Sequence, residues 1–334
     1  MIGRTPVRLI LSTVLLLVLF GCIWDNEKVL PLASGKSGEL VVVMDSSMWS
    51  GPVGHQIKRC FASPQEGLPQ SEPYFNVIEV TRPNFSQIFK TTRNIIVIEK
   101  NASEKSTYVI KEDAWAKNQL VLLINVNNEK DAEAVIKNSC QGLLDRFREE
   151  EIKRLQWAFN KLKDQAIMSE VEKAVGIKTM IPSDYKVAKK EENFIWLRKD
   201  FQHQGHQINM GLIMYKSPYD SIESLDDVNI IAERNRQAKA VEGPVEGSHM
   251  STYEEYPPVV REIAVEKRYV KELRGLWNMK GAFMGGPFVH YSFVDKSGQF
   301  IVHIDGYVFA PKFDKREYLR ELEAIGLSAS GKIF

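Results

Sequence analysis

The sequence predicts an α/β N-terminal domain followed by an α+β C-terminal domain with a mostly antiparallel sheet, the two joined by a long helix. Three observations carry this. Continuous apolar runs, Leu40-Val41-Val42-Val43-Met44, Ile95-Ile96-Val97-Ile98 and Leu120 to Val126, alternate with helix signals in the first part of the chain; runs of this length suit strands buried on both faces. From Asn128 to Ala174 apolar or small residues recur in steps of three and four, which marks one buried helical face. Beyond Gly176 and Pro182 the pattern changes to paired strand-like segments separated by polar turns, the signature of hairpins.

Taken in order, the chain opens with Arg4 and Arg8 before an apolar run from Leu9 to Phe20, closed by Gly21 and Cys22. Positive charge, a short apolar run and a small residue at its end read as a secretory signal. The run is well short of the roughly 20 apolar residues of a spanning helix. Leu19-Phe20-Gly21-Cys22 resembles the lipobox of bacterial lipoproteins. That resemblance implies a diacylglyceryl group on the Cys22 sulfur and cleavage before Cys22. Phe20 departs from the pattern, which favours small or β-branched residues there. Each buried methylene contributes about 0.8 kcal/mol, so two or more chains would hold the protein firmly. Ile23, where some inner-membrane lipoproteins carry Asp, favours the outer membrane by analogy.

Residues 22–38, with Pro31 and the cluster Ser34-Gly35-Lys36-Ser37-Gly38, read as a tether. Gly35-Lys36-Ser37 lacks the upstream glycine and the preceding strand of a P-loop. After the strand at Leu40–Met44, Ser50-Gly51-Pro52 signals a short helix to Phe61. A turn-rich loop from Pro64 to Pro73, a strand at Phe75–Val80 and a short helix at Phe85–Lys90 follow. In the long helix, the step from Phe147 to Ile152 crosses Arg148-Glu149-Glu150-Glu151 and shifts the apolar face. The first part should pack on the first domain and the second part on the next, with the charge run on a solvated face. The second domain reads as strands at Tyr185–Ala188, Phe194–Phe201 and Gln207–Tyr215, a helix at Ser221–Ala240, hairpins over Val259–Leu276 and Phe288–Phe309, and a last helix from Asp314 to Ile325.

The expected division is therefore a signal peptide at 1–21, the tether at 22–38, the α/β domain at 39–150, the second part of the connecting helix at 151–175 and the α+β domain at 176–334. Two domains also suit 334 residues at roughly 100–200 residues each. Forty-four basic against 43 acidic residues, net +1, removes the electrostatic case for nucleic acid or another polyanion. With Cys22 taken by lipid, Cys60 and Cys140 remain, either as a disulfide or as two buried thiols.

No catalytic constellation stands out. His203-Gln204-Gly205-His206 offers two imidazoles at a hairpin tip without further ligands, so no metal site or cofactor is expected. His290 and His303 flank the last hairpin and suit a paired structural role. Arg274, Trp277, Met284, Gly285 and Gly286 are the candidate binding residues: a cation, an aromatic, a methionine and flexible glycines between two strands can line a cleft. The alternative is a glycine-shaped loop whose aromatics cap the core.

Leu32-Ala33-Ser34-Gly35-Lys36-Ser37-Gly38-Glu39, Gly67-Leu68-Pro69-Gln70, Phe89-Lys90-Thr91-Thr92-Arg93-Asn94-Ile95, Arg274-Gly275-Leu276-Trp277 and Met284-Gly285-Gly286-Pro287-Phe288 resemble a family of bacterial lipoproteins defined only as a domain of unknown function. The resemblance spans essentially the whole mature chain. It implies lipid on Cys22 and transfers no catalytic residue. The expectation is a lipid-anchored envelope protein acting as a non-enzymatic binding module. Its partners would be the membrane, the lipoprotein processing and sorting machinery, and an envelope protein or small ligand. The alternatives are a hydrolase-like envelope enzyme with its site between the domains, and a structural subunit of an envelope assembly.

Overall fold

A computed structural model describes residues 29–101, 106–265 and 267–329; the expected signal peptide, Cys22 and the start of the tether lie outside these residues. The first sheet has strand order β2-β1-β3-β5-β4. Strands β1 (Glu39–Met44), β2 (Asn76–Thr81), β3 (Asn94–Lys100) and β5 (Leu120–Val126) run parallel, and β4 (Thr107–Glu112) closes the edge antiparallel to β5. Parallel neighbours need crossovers, which the short helices α1 (Ser46–Ser50), α2 (Pro52–Phe61) and α3 (Gln87–Lys90) help supply. The apolar runs expected as buried strands are β1, β3 and β5. β4 gave no apolar signal because it is an edge strand with an almost wholly exposed Thr-Tyr-Val-Ile-Lys-Glu sequence.

Helix α4 (Glu129–Leu162) bridges the two halves. Ala132, Ile136, Leu143, Leu144 and Phe147 enter the core of the first sheet, whereas Ile152 and Phe159 enter that of the second. The phase shift between Phe147 and Ile152 is thus where the helix changes partner. Two expectations need correction. The long or kinked helix expected to reach Ala174 is two helices parted at Lys163–Asp164, because the Asp164 carboxylate accepts from the amides of Ala166 and Ile167 and so starts a new helix, α5 (Gln165–Val175), which Gly176 ends at φ 71°. The charge run is not a solvated face either: Glu150 and Glu151 are buried.

Glu151 fastens α4 to the first domain, and Arg320 of the last helix reaches this cluster through Ser37, to whose hydroxyl its Nη1 donates at 3.2 Å. The Glu151 carboxylate accepts from Asn94 Nδ2 at 2.7 Å, Arg154 Nη1 at 2.8 Å, Ser37 Oγ at 3.0 Å and Arg93 Nη1 at 3.1 Å. Burial alone would raise its carboxyl, but Arg154, Arg320 and Arg93 together hold it below the usual range. The expected tether is corrected by the same contacts. Ala33 and Ser34 donate backbone hydrogen bonds to Lys117 and Thr91, and Lys117 donates to Pro31, so the chain joins the domain well before Gly38. Cys60 on α2 and Cys140 on α4 form a disulfide, with Cα atoms 5.7 Å apart.

The second sheet is antiparallel throughout, in the order β10-β11-β12-β13-β8-β7-β6. Its strands are β6 (Lys186–Glu191), β7 (Phe194–His203), β8 (His206–Pro218), β10 (Val259–Val265), β11 (Arg268–Lys280), β12 (Gly285–Val294) and β13 (Phe300–Phe309). The short β9 (His249–Thr252) extends the same edge of β11 beyond β10. One face is covered by α5, the end of α4 and α7 (Arg316–Ala329), and the other by α6 (Asp227–Ala238). The N-terminal domain reaches over through its 64–73 loop. Glu72 accepts from the amides of Lys315 and Arg316 at 2.8 Å each, capping α7 from outside its own domain.

Candidate functional site

Both principal candidates, Arg274 and Trp277, lie on β11. The expected loop from Trp277 to Pro287 is mostly strand: β11 continues to Lys280, β12 begins at Gly285, and Trp277 pairs with Gly286. Three residues apart on a strand, Arg274 and Trp277 face opposite sides of the sheet. They cannot share one concavity, which corrects their grouping as a single binding surface.

On the α7 side, Arg274 is 2% exposed and bound to Glu272 through Nε at 2.7 Å and Nη2 at 3.1 Å, and to Glu323 through Nη1. Against the cost of burial, this guanidinium pulls the Glu272 carboxyl down to about 2. These groups floor a cleft of about 580 Å³ between α4, β10, β11, β12 and α7. Gly67, at φ 77°, packs against the β11 backbone at Arg274, where an added Cβ would lie 2.9 Å from Arg274 Cβ.

On the other side, Trp277 is 1% exposed, edge-on to Tyr307 at 5.7 Å, and its indole N–H donates to the Val308 carbonyl at 3.2 Å. It is core, as in the alternative reading of this segment. Gly286 has a packing role: a Cβ there would stand 2.0 Å from the Val308 carbonyl oxygen. Yet the Trp277–Met284 end of the sheet does border a cavity, of about 540 Å³, walled by Leu276, Trp277, Met279, Met284 and Phe309 with Pro69 and Lys315. Met284, Gly285 and Gly286 line it, and the neighbouring Phe283 is fully exposed at the hairpin tip. The Lys315 ammonium donates to Gln70 Oε1 at 2.9 Å and the Phe313 carbonyl at 2.6 Å, and burial pushes it below the usual lysine range.

A third polar cluster was only half visible from the sequence. His290 and His303 do face each other, ring centroids 5.5 Å apart. Ser292, Asp305 and Arg234 join them, and no local pattern marks these. His290 Nδ1 lies 3.0 Å from Asp305 Oδ2 and Nε2 2.8 Å from Ser292 Oγ; Ser292 Oγ lies 2.9 Å from His303 Nδ1, and His303 Nε2 lies 2.9 Å from Ser217 Oγ. One assignment satisfies every link with both imidazoles neutral: Nδ1–H of His290 donates to Asp305, Ser292 to His290 Nε2, His303 Nδ1–H to Ser292, and Ser217 to His303 Nε2. Burial lowers both histidines, His303 further. Asp305, His290 and Ser292 have the connectivity of a hydrolase triad. However, Asp305 is also gripped by Arg234 at 2.5 and 3.2 Å, and Ser292 is fully buried. The cluster bolts α6 to the sheet. The tip histidines, His203 and His206, pack on Phe313, and among the described residues no His, Cys, Asp and Glu group converges to hold a metal.

Residues 33–160 match the profile of a Domain of unknown function (DUF8532), and residues 164–328 that of a second Domain of unknown function (DUF4837). Together the two matches take in most of the chain. They meet where α4 gives way to α5. The segments that carried the resemblance in the sequence converge here: Gly67–Gln70 lies against Arg274 and Lys315, and Ser34–Glu39 against Thr91–Asn94. No curated protein matches the sequence. Among solved structures, LpqN of Mycobacterium tuberculosis, described as involved in cell envelope biogenesis, matches with a TM-score of 0.27 and 11% identity over 45% of this chain and 78% of that one. A likeness of that size carries no functional argument.

Proposed function

We propose that this protein is a lipid-anchored envelope protein that binds, without catalysis, an amphiphile with an apolar chain and an acidic head in the Trp277–Met284 cavity. The observation that carries the reading is the cavity: about 540 Å³, walled by aromatics and methionines, with one buried ammonium at Lys315. Ligand pockets of roughly 300–1,000 Å³ have this composition, apolar walls with a few placed polar groups. Methionines adapt to flexible chains, and an anionic head would offset the burial cost of Lys315. The cleft between the domains suits a proton-transfer enzyme poorly: a carboxyl held near 2, as Glu272 is, stays ionised at neutral pH. Anchoring rests on the sequence ending at Cys22.

Titration of the mature chain with the fluorescent fatty acid dansylundecanoate tests the cavity. Saturable enhancement is expected, with affinity reduced at least about tenfold by Met284→Lys. Equal binding by that variant, or no enhancement, overturns the cavity reading. A dansylated alcohol of the same length should bind more weakly; parity removes Lys315 from the site. For the anchor, Cys22→Ser should abolish the membrane-held mature form. If that variant survives a carbonate wash in the membrane fraction at the wild-type mature mass, the lipid assignment fails.

A further inference from the structure

We propose that the cleft between α4, β10 and α7 is a second site, one that binds a small organic cation through an amino group; this does not depend on the amphiphile reading. The first observation is charge. The walls carry Asp145, Glu149, Glu262, Glu272 and Glu323 against only Arg148, Arg261 and Arg274. The arginines are already engaged. Arg274 is forked onto Glu272 and also holds Glu323; Arg261 pairs with Glu66; Arg148 sits 3.5 Å from Asp145 with its guanidinium over the Tyr74 ring. Glu323 shares Arg274 with Glu272 and so holds only part of one guanidinium's charge. Its Oε2 reaches Arg148 Nη2 only at 4.0 Å, beyond hydrogen-bond distance.

The second observation is independent of charge. Tyr291, 1% exposed, lines the cleft, and its hydroxyl has no hydrogen-bond partner. Its ring is wedged against Gly326, where an added Cβ would come within 2.6 Å, so the phenol is fixed in place. Glu272, Arg274, Glu323 and Arg148 are the charges that act on it, which puts the hydroxyl in the middle of the cluster. A buried polar group without a partner calls for an explanation. The hydroxyl of Tyr215 is likewise unpartnered, but it lies on the α6 face, stacked on His303. A phenol oxygen and a carboxylate oxygen are both acceptors for N–H donors. An ammonium group placed between Tyr291 and Glu323 would satisfy both and reduce the negative excess, whereas a carboxylate would meet Glu323 and Glu272 with the same sign.

Calorimetric titration of the full mature chain in detergent with 1,5-diaminopentane, and with glutarate as its anionic counterpart, tests the site. Saturable binding of the diamine and none of glutarate is expected. Tyr291→Phe should weaken the diamine at least about tenfold while leaving the melting temperature unchanged or higher, since the hydroxyl it removes has no partner in the free protein. Glu323→Gln should weaken it as well, at a cost in stability because Arg274 loses a partner. Binding of glutarate instead, no binding of either, or wild-type affinity in Tyr291→Phe overturns the proposal. Met284→Lys should leave diamine binding intact; if it does not, the two sites are not separate.

Discussion

Both faces of the C-terminal sheet bury an arginine beneath a helix, and the two arginines sit in opposite circumstances. Arg234, on α6, reaches the fully buried Asp305 and Thr252, and every link from there through His290, Ser292 and His303 to Ser217 is made. Arg274, on β11, is equally buried and equally paired, but its cluster borders a cleft lined by Tyr291, so that this unmatched hydroxyl, unlike that of Tyr215 on the α6 face, has space for a ligand beside it. The same side-chain type therefore does two jobs. A buried network whose chain of donors and acceptors is closed acts as a bolt; one with an open valence beside a cavity is available to a ligand.

The largest effect that could break this contrast is Asp305→Ala. It strands Arg234 in a dry site, and removing one partner of a buried pair costs about 3–5 kcal/mol. Urea denaturation should show a loss of that size; a loss under about 1 kcal/mol would mean that the sealed face is solvated. Trp277→Ala should cost a similar ~3–5 kcal/mol, as for any fully buried large aromatic. A near-unchanged melt would return Trp277 to the surface and reopen the binding-loop reading.

Next in size is the covalent tie that holds α2 to α4. The Cys60–Cys140 bond closes a separation of 80 residues, so its loss should cost on the order of 4 kcal/mol in the chain-entropy account. Non-reducing peptide mapping should recover the linked pair, and two alkylatable thiols would remove the tie.

Acidification sharpens the comparison by separating the faces along the pH axis. His290 and His303 are lowered in the folded state by burial. The unfolded chain thus takes up protons first, and stability falls as pH drops below the usual imidazole value of about 6.5. Glu272 is lowered to about 2, so its contribution is complete above the ordinary carboxyl range and is lost only as pH falls from about 4.3 toward that value. Urea midpoints should decline in two stages, the sealed face first. His303→Gln should flatten the stage between pH 7 and 5.5, and an equally steep decline in that variant would assign it elsewhere.

The smallest expected effect is Phe283→Ala. The side chain is fully exposed, so stability should change by no more than about 0.5 kcal/mol. A larger drop in melting temperature would show that the hairpin tip packs against something in solution.

The sequence by itself determined the elements whose signals are local. The parallel strands β1, β3 and β5 announced themselves as apolar runs, α4 by its three-and-four period, and the β12–β13 hairpin as two strand-like runs either side of the polar turn Asp295-Lys296-Ser297-Gly298. It also located the point, between Phe147 and Ile152, where α4 changes cores. Periodicity reports that a side chain is covered and on which side, not by what. Only the tertiary structure decided that Glu151 gathers Ser37, Arg93 and Asn94 against α4, that Ser292 and Asp305 close a chain with the two histidines, and that Tyr291 faces a charged cleft. Each of these needs partners 11 to 114 residues apart. The separation of Arg274 from Trp277 is the borderline case. An odd spacing places them on opposite faces of any strand that contains both, but the glycines after Trp277 read as a loop. Gly286 is there because β13 runs too close for a Cβ, a constraint set by a strand more than twenty residues further along the chain.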